Sequence, residues 1–289
     1  MTRLLLDCDP GLDDAVALAL AMASPELELL AVSTVAANAP IDVVTRNAEQ
    51  VMDRLGCRCP LFQGAARPLA IEARHSTDLW GGDGRLPLGA PAQPARRILR
   101  EGFHELARDA DVVCAIGSLT NIAGLIKSGH RPRKLVVMGG ALGRGNATPQ
   151  AELNIWADPH AARIVFASGI PITLVPLDIT RGLIVPAGMI ARLNSAGTPA
   201  ARLVGELLPH AGRNAQPSAI HDAAVIAYLL WPALFTADPG RITVVTEGDE
   251  SGRTLFATAS DGPHHVLTQV VRDDLFRHMQ RLLCGEKDE

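Results

Sequence analysis

Lysine and arginine are not in excess in this chain: 27 of them stand against 31 aspartates and glutamates, a formal charge of −4. No segment gathers them into a basic stripe, which makes nucleic acid a poor partner. Long apolar runs are missing as well. No uninterrupted stretch reaches the ~18 residues of a membrane span, and the chain enters a strand at once, without a charged leader ahead of an apolar signal segment. The expectation is a cytoplasmic protein with no membrane partner. Cysteines are few and odd in number, Cys8, Cys57, Cys59, Cys114 and Cys284. None of them has Cys-x-x-Cys spacing, so neither a disulfide framework nor a structural zinc site is expected. Cys57 and Cys59 are read as small core or loop residues. No internal repeat, low-complexity tract or linker divides the 289 residues, and 47% hydrophobic composition suffices for a substantial core. One domain over 1–289 is the simplest organisation.

What the chain does have is acid concentrated at its start. Leu4-Leu5-Leu6-Asp7-Cys8-Asp9-Pro10-Gly11-Leu12-Asp13-Asp14-Ala15-Val16 reads as strand, tight turn, helix. Four carboxylates meet at that junction. Two unit charges about 4 Å apart interact by roughly 4 kcal/mol at an effective dielectric of ~20. A helix N-terminus offsets only about 0.3–1 kcal/mol per acid. A bound cation resolves the imbalance, and all-oxygen ligation selects a hard ion, Ca²⁺ or Mg²⁺. The alternative is that Asp13 and Asp14 merely cap the helix while Asp7 bonds a neighbouring loop.

Strand-like and helical segments then alternate. Residues 27–34 read as a buried strand and 41–55 as a helix with apolar Ile41, Val44, Ala48, Val51 and Leu55. This βαβ pattern predicts an α/β fold with a parallel sheet and right-handed crossovers. Ligands in such sheets bind beyond the carboxyl ends of strands, which would place Asn38 beside the Asp cluster; an asparagine that merely shapes its turn fits the pattern at least as well. Periodicity fails over 65–94, a long loop holding His75 and Trp80 and read as a lid. Residues 97–107 read as a helix, 111–116 as a strand ending in Gly117-Ser118-Leu119-Thr120-Asn121, and 134–138 as a strand. An irregular glycine-rich segment, 139–157, follows, with Asn146, Glu152 and Asn154 suited to a polyhydroxylated ligand or, on composition equally, to a solvated loop. Asp158 and Pro159 read as N-cap and first residue of another helix. A strand at 170–175, two helices in 186–210, a polar loop at 212–218, His221-Asp222 before a helix at 223–230, three strand-like runs and a final helix at 273–283 complete the pass.

Taken together, Asp-x-Asp-Pro-Gly-x-Asp-Asp, Val-x-x-Asn at 35–38, Gly-Ser-Leu-Thr-Asn at 117–121, Met-Gly-Gly-Ala at 138–141, Gly-Asn-x-Thr-Pro-x-Ala-Glu-x-Asn at 145–154, Asp-Pro-x-Ala-Ala at 158–162 and His-Asp at 221–222 resemble the inosine-uridine-preferring nucleoside hydrolase family. The likeness runs over nearly the whole chain. It implies Ca²⁺-dependent hydrolysis of the N-glycosidic bond of purine or pyrimidine ribonucleosides, on an open, mostly parallel mixed sheet flanked by helices, in a homodimer or homotetramer. It further implies Asp9, Asp14, Asp222 and the Ile116 carbonyl as Ca²⁺ ligands, and Asp9 as general base toward the hydrolytic water. Asp13 and Asn154 would hold the ribose 2′-hydroxyl, Asp222 and Asn38 the 3′-hydroxyl, and Asn146 and Glu152 the 5′-hydroxyl. Asp7 would support this set from behind, and His221 would protonate the leaving base. Two positions depart from familiar members: Trp80 stands where a histidine is common, and no tyrosine precedes His221, the one tyrosine being Tyr228. Base preference therefore stays open, with Trp80 either stacking on the base or simply anchoring its loop.

Two rivals remain at this level. A Mg²⁺-dependent phosphohydrolase of the haloacid dehalogenase type also ends its first strand in Asp-x-Asp, but Gly11 stands where that family has Thr or Val. A non-catalytic nucleoside-binding protein would keep the sugar contacts without turnover, yet every carboxylate the chemistry requires is present.

Overall fold

The computed structural model describes residues 1–77, 82–89, 97–210 and 219–286. Its frame is one sheet of ten strands: β1 Thr2–Cys8, β2 Leu27–Thr34, β3 Leu61–Gln63, β4 Ile98–Leu99, β5 Val112–Ala115, β6 Leu135–Met138, β7 Ile172–Val175, β8 Phe235–Val244, β9 Thr254–Thr258 and β10 His264–Val270. In space they run β4, β3, β2, β1, β5, β6, β7, β10, β8, β9. The first seven are mutually parallel, and β10 joins β7 in parallel. Among the described strands β8 alone is reversed, pairing antiparallel with β10 on one side and β9 on the other. The expected open, mostly parallel mixed sheet is what forms.

The apolar pattern explains this arrangement. β1 carries Leu4, Leu5 and Leu6, all fully buried, a run with no solvent-facing side because helices cover both faces. Helix α1, Leu12–Ala23, is buried continuously from Asp14 to Ala21, as a helix that is apolar on every side must be. It packs in the larger core with α2, Ile41–Arg54, and with the helices Ala187–Ser195, Pro199–Leu207, Ala223–Leu230 and Arg272–Cys284. The helices Phe103–Asp109, Thr120–Lys127 and Pro159–Phe166 cover the opposite face.

Strand order reverses at β1. The chain builds outward through β2, β3 and β4, then returns to place β5 on the other side of β1. The crevice beyond the carboxyl ends of β1 and β5 is thus the switch point at which open α/β sheets take their ligands.

Several boundaries differ from the sequence reading. Residues 97–107 are not one helix: Ile98 and Leu99 form edge strand β4, and the helix starts at Phe103 after Gly102, which adopts φ 100. A left-handed residue there ends any helix begun upstream. The segment 139–157 is irregular only to Glu152, whose carboxylate caps the helix Leu153–Ala157 by accepting from Asn154 N and Ile155 N. β3 and the helix Leu177–Thr180 went unread because runs of three or four residues carry no periodicity. Asp158 caps its helix as expected, accepting from Ala161 N at 3.0 Å with Pro159 following.

Candidate active site

The turn after β1 is built by its own acids. Asp14, in the first turn of α1, accepts from Gly11 N at 2.8 Å and from Asp9 N at 3.1 Å, so its carboxylate closes the Pro10-Gly11 turn and caps the helix. Asn38, just beyond β2, clamps Asp9 twice: its backbone N–H donates to Asp9 Oδ2 at 2.7 Å and its amide to the Asp9 carbonyl at 2.9 Å. That leaves Asp9 Oδ1 buried without a hydrogen-bond partner. Gly117, beyond β5, makes room for it, since a Cβ there would lie 2.6 Å from that oxygen. Behind them Asp7 is fully buried, accepting from Ser33 Oγ at 2.5 Å and Asn121 Nδ2 at 2.7 Å through one oxygen while the other has no partner.

Oxygens of Asp13, Asp14 and Asp222 lie within 4.8 Å of one another. Asp222 arrives from the far end of the chain, at the start of the helix Ala223–Leu230. Among the described residues no ion pair reaches Asp7, Asp9, Asp13, Asp14 or Asp222. Their protonation reflects that. Burial pushes Asp14 up to about 7, with the Asp13 charge adding to it, and burial takes Asp7 to about 7 against the opposing hydrogen bonds from Ser33 and Asn121. Asp9 rises well above the ordinary range through burial and then the Asp14 charge, and Asp222 through burial and then the Asp13 and Asp14 charges. A hydrogen bond between Asp14 and Asp222 raises the second and lowers the first, as when two acids share one proton. Buried carboxylates with no cationic partner, two of them, Asp7 and Asp9, each with an unpartnered oxygen, fit a hard divalent ion. Asp13 completes this trio with Asp14 and Asp222, whereas Asp9, the third carboxylate expected as a ligand, is not part of it.

The opposite wall comes from β5, β6 and the glycine-rich segment. Asn154 Nδ2 donates to the Ile116 carbonyl at 3.0 Å and the Met138 carbonyl at 3.2 Å. The Ile116 oxygen keeps a second lone pair, and the Asn154 side chain keeps its carbonyl oxygen as acceptor. Glu152 Oε2 accepts from Gly140 N at 2.9 Å and its Oε1 from Asn154 N at 2.9 Å. Burial nonetheless lifts it to about 6, because those backbone donors offset only part of the desolvation. Asn146 accepts from Leu153 N at 2.9 Å. Asn146, Glu152 and Asn154 are therefore held in place by the backbone they fold around.

His221 stands next to Asp222 in sequence. Its Nδ1 is 2.8 Å from Thr180 Oγ1. Burial lowers its pKa, the Asp13 charge opposes that and Arg181 adds to it, so the imidazole feels both the acid cluster and a guanidinium. Arg181 itself donates to the Arg144 carbonyl at 2.6 Å, and Asp178 accepts from Leu142 N at 2.7 Å and Gly143 N at 2.9 Å. Sequence reasoning passed over Asp178, Thr180 and Arg181, which sit in an unread helical turn with no motif around them.

Other polar residues hold the surrounding loops. Asn121, inside the quoted Gly-Ser-Leu-Thr-Asn motif, bonds Asp7, the Thr34 carbonyl at 2.9 Å and Ala65 N at 2.8 Å. Asp158 accepts from Leu69 N and Thr120 Oγ1, both at 2.8 Å. Asn47 donates to the Pro10 carbonyl at 2.8 Å and the Gly84 carbonyl at 2.7 Å. The described parts of the 65–94 loop are thus tied to the sheet ends and to the Asp9 turn. Trp80 and the polar loop 212–218 lie outside the described residues.

The family model described as inosine-uridine preferring nucleoside hydrolase matches residues 4–277. The chain is 40% identical over 272 residues to proteins named non-specific ribonucleoside hydrolase RihC from Escherichia coli (strain E24377A) and Shigella boydii (strain Sb227), covering 87% of either chain in each comparison. Among solved structures it is similar to a purine-preferring ribonucleoside hydrolase from Gardnerella vaginalis, with TM-score 0.86, 26% identity and 98% of both chains covered. A plant nucleoside hydrolase, PpNRh1, shares the fold with TM-score 0.86 at 24% identity, over 98% of this chain and 99% of that one.

Proposed function

Because the chain belongs to the inosine-uridine preferring nucleoside hydrolase family, an enzyme family acting on N-glycosidic bonds, we propose that it is a Ca²⁺-dependent ribonucleoside hydrolase working at the β1–β5 switch point. The reading takes 1–289 as one hydrolase domain in the cytoplasm, assembled as a homodimer or homotetramer. The observation that carries it is the unpartnered Asp9 Oδ1 facing Gly117 among carboxylates that have no cationic partner.

Asp9, Asp14, Asp222 and the Ile116 carbonyl would hold the ion, with Asp13 beside them. When bound, Ca²⁺ supplies the charge that neutralises these acids, and it acidifies and orients water. Asp9, held by Asn38 through its other oxygen, takes the proton of the attacking water at Oδ1. Cleavage of the N-glycosidic bond gathers positive charge on the ribosyl ring and negative charge on the departing base. Asp13 and Asn154 would accept from the 2′-hydroxyl, Asp222 with Asn38 would bind the 3′-hydroxyl, and Glu152 with Asn146 the 5′-hydroxyl. This ring of acceptors favours the oxocarbenium-like state over the neutral sugar. His221 donates to the leaving base, and Asp7 holds the β1 end through Ser33 and Asn121. Similarity to proteins named non-specific supports acceptance of both purine and pyrimidine ribonucleosides.

The test is a reducing-sugar assay over purine and pyrimidine nucleosides, with and without a calcium chelator. Ribose release that chelation abolishes and Ca²⁺ restores supports the reading. Phosphate release from phosphomonoesters without ribose release, or tight inosine binding with no hypoxanthine formed, overturns it.

A further inference from the structure

His221 is anchored twice to one short segment. Its ring meets Thr180 through Nδ1 at 2.8 Å, and the preceding residue, Ile220, donates its backbone N–H to the Leu183 carbonyl at 3.0 Å. An isolated bridge between Ile184 and Ala219 extends that tie. The segment is itself fixed to the glycine-rich wall: Leu177 N donates to the Gly140 carbonyl at 2.9 Å, Asp178 holds Leu142 N and Gly143 N, and Arg181 holds the Arg144 carbonyl. Thr180 is fully buried, so its hydroxyl has no water to turn to, and the Nδ1 contact satisfies it.

A neutral imidazole has one N–H, and the partner of one nitrogen decides which nitrogen carries it. A threonine hydroxyl that donates to Nδ1 leaves the proton on Nε2. The same oxygen can accept if Nδ1 bears a proton, so the anchor survives either state of the ring. Resting on His221 as donor to the leaving base, we propose that Thr180 is a positioning residue for the reaction, fixing the ring through Nδ1 so that Nε2 is the nitrogen presented to the base.

The test compares Thr180→Val, Thr180→Ser and His221→Ala on inosine and on 4-nitrophenyl riboside, whose leaving group departs without a proton. Losing one neutral hydrogen bond corresponds to roughly a tenfold effect or less. Thr180→Val is expected to lower kcat/KM for inosine about tenfold and to leave 4-nitrophenyl riboside within about twofold. Thr180→Ser keeps the hydroxyl and should restore inosine turnover, and it serves as the readout if the valine variant does not fold. In a His221→Ala background, Thr180→Val should add nothing for inosine. Equal losses on both substrates in Thr180→Val, or a loss in Thr180→Ser as large as in Thr180→Val, overturn the inference alone. Equal losses on both substrates in His221→Ala overturn the donor role and this inference with it.

Discussion

Chelating the proposed Ca²⁺ should invert the pH dependence of stability, and the sign follows from the buried acids. Asp7 and Asp14 are each raised from 3.8 to about 7, and Glu152 from 4.5 to about 6. A carboxyl whose folded pKa lies above its unfolded one binds its proton more tightly in the folded state. Its contribution is therefore fully present below about pH 4 and is lost as pH rises toward 7. One group raised this far accounts for about 4 kcal/mol, a large part of the ~5–15 kcal/mol that separates folded from unfolded chains. His221 and His264 work the other way, since both are lowered by burial, and they favour folding as pH rises toward their ordinary value. The raised carboxyls outnumber them, so in chelator the melting temperature should fall from pH 5 to pH 8, by roughly 10 °C if one Asp dominates. On the proposed reading, Ca²⁺ at about a thousand times its Kd should add ~4 kcal/mol at pH 8. It should add little at pH 5, where the ligands hold protons. The assay is thermal unfolding followed by circular dichroism across that range, with and without Ca²⁺, and Asp14→Asn should flatten the slope in chelator. A melting temperature that climbs steadily from pH 5 to pH 8 in chelator would refute the account.

Asp9→Asn should lower kcat by about 10²- to 10⁴-fold on every nucleoside, the range for losing a general base, as read by ribose release. Gly117→Ala puts a methyl 2.6 Å from Asp9 Oδ1 and should cut activity at least tenfold, as a shift of about 1 Å at a reacting group does; unchanged turnover would mean the carboxylate sits elsewhere during catalysis. Asp158→Ala removes a helix cap together with the ties to Leu69 and Thr120. It should destabilise by at least ~1 kcal/mol in urea unfolding and expose the 65–77 backbone to earlier proteolysis.

The frame was legible where apolar runs were long. β2 matches the strand read at 27–34, and α2 ends one residue short of the helix read at 41–55. Elements of two to four residues were not legible, because β3, β4 and the Leu177–Thr180 turn owe their form to neighbours rather than to their own pattern. The acids of the first turn announced themselves through crowding that no helix cap could offset. What the chain could not disclose is how its side chains divide their bonds: that Asn154 gives its amide to Ile116 and Met138, or that Glu152 holds Gly140 and a helix start. Those partners lie up to 38 residues away and exist only once β5, β6 and the glycine-rich segment are side by side. Thr180 is the sharpest case, since nothing about an isolated threonine points to a histidine 41 positions later.

The insertion of β10 between β7 and β8 carries a consequence for biosynthesis. While the ribosome is still short of residue 264, β7 has an open edge and the β8–β9 hairpin has nothing to lie against. This part of the sheet closes when β10 slides in parallel to β7 and antiparallel to β8. Nascent or prematurely stopped chains ending before that point expose a buried strand's hydrogen-bonding groups, the kind of edge that invites intermolecular pairing. Cells making this protein at high rate should therefore show stalled chains partitioning into inclusion material while finished ones remain dispersed.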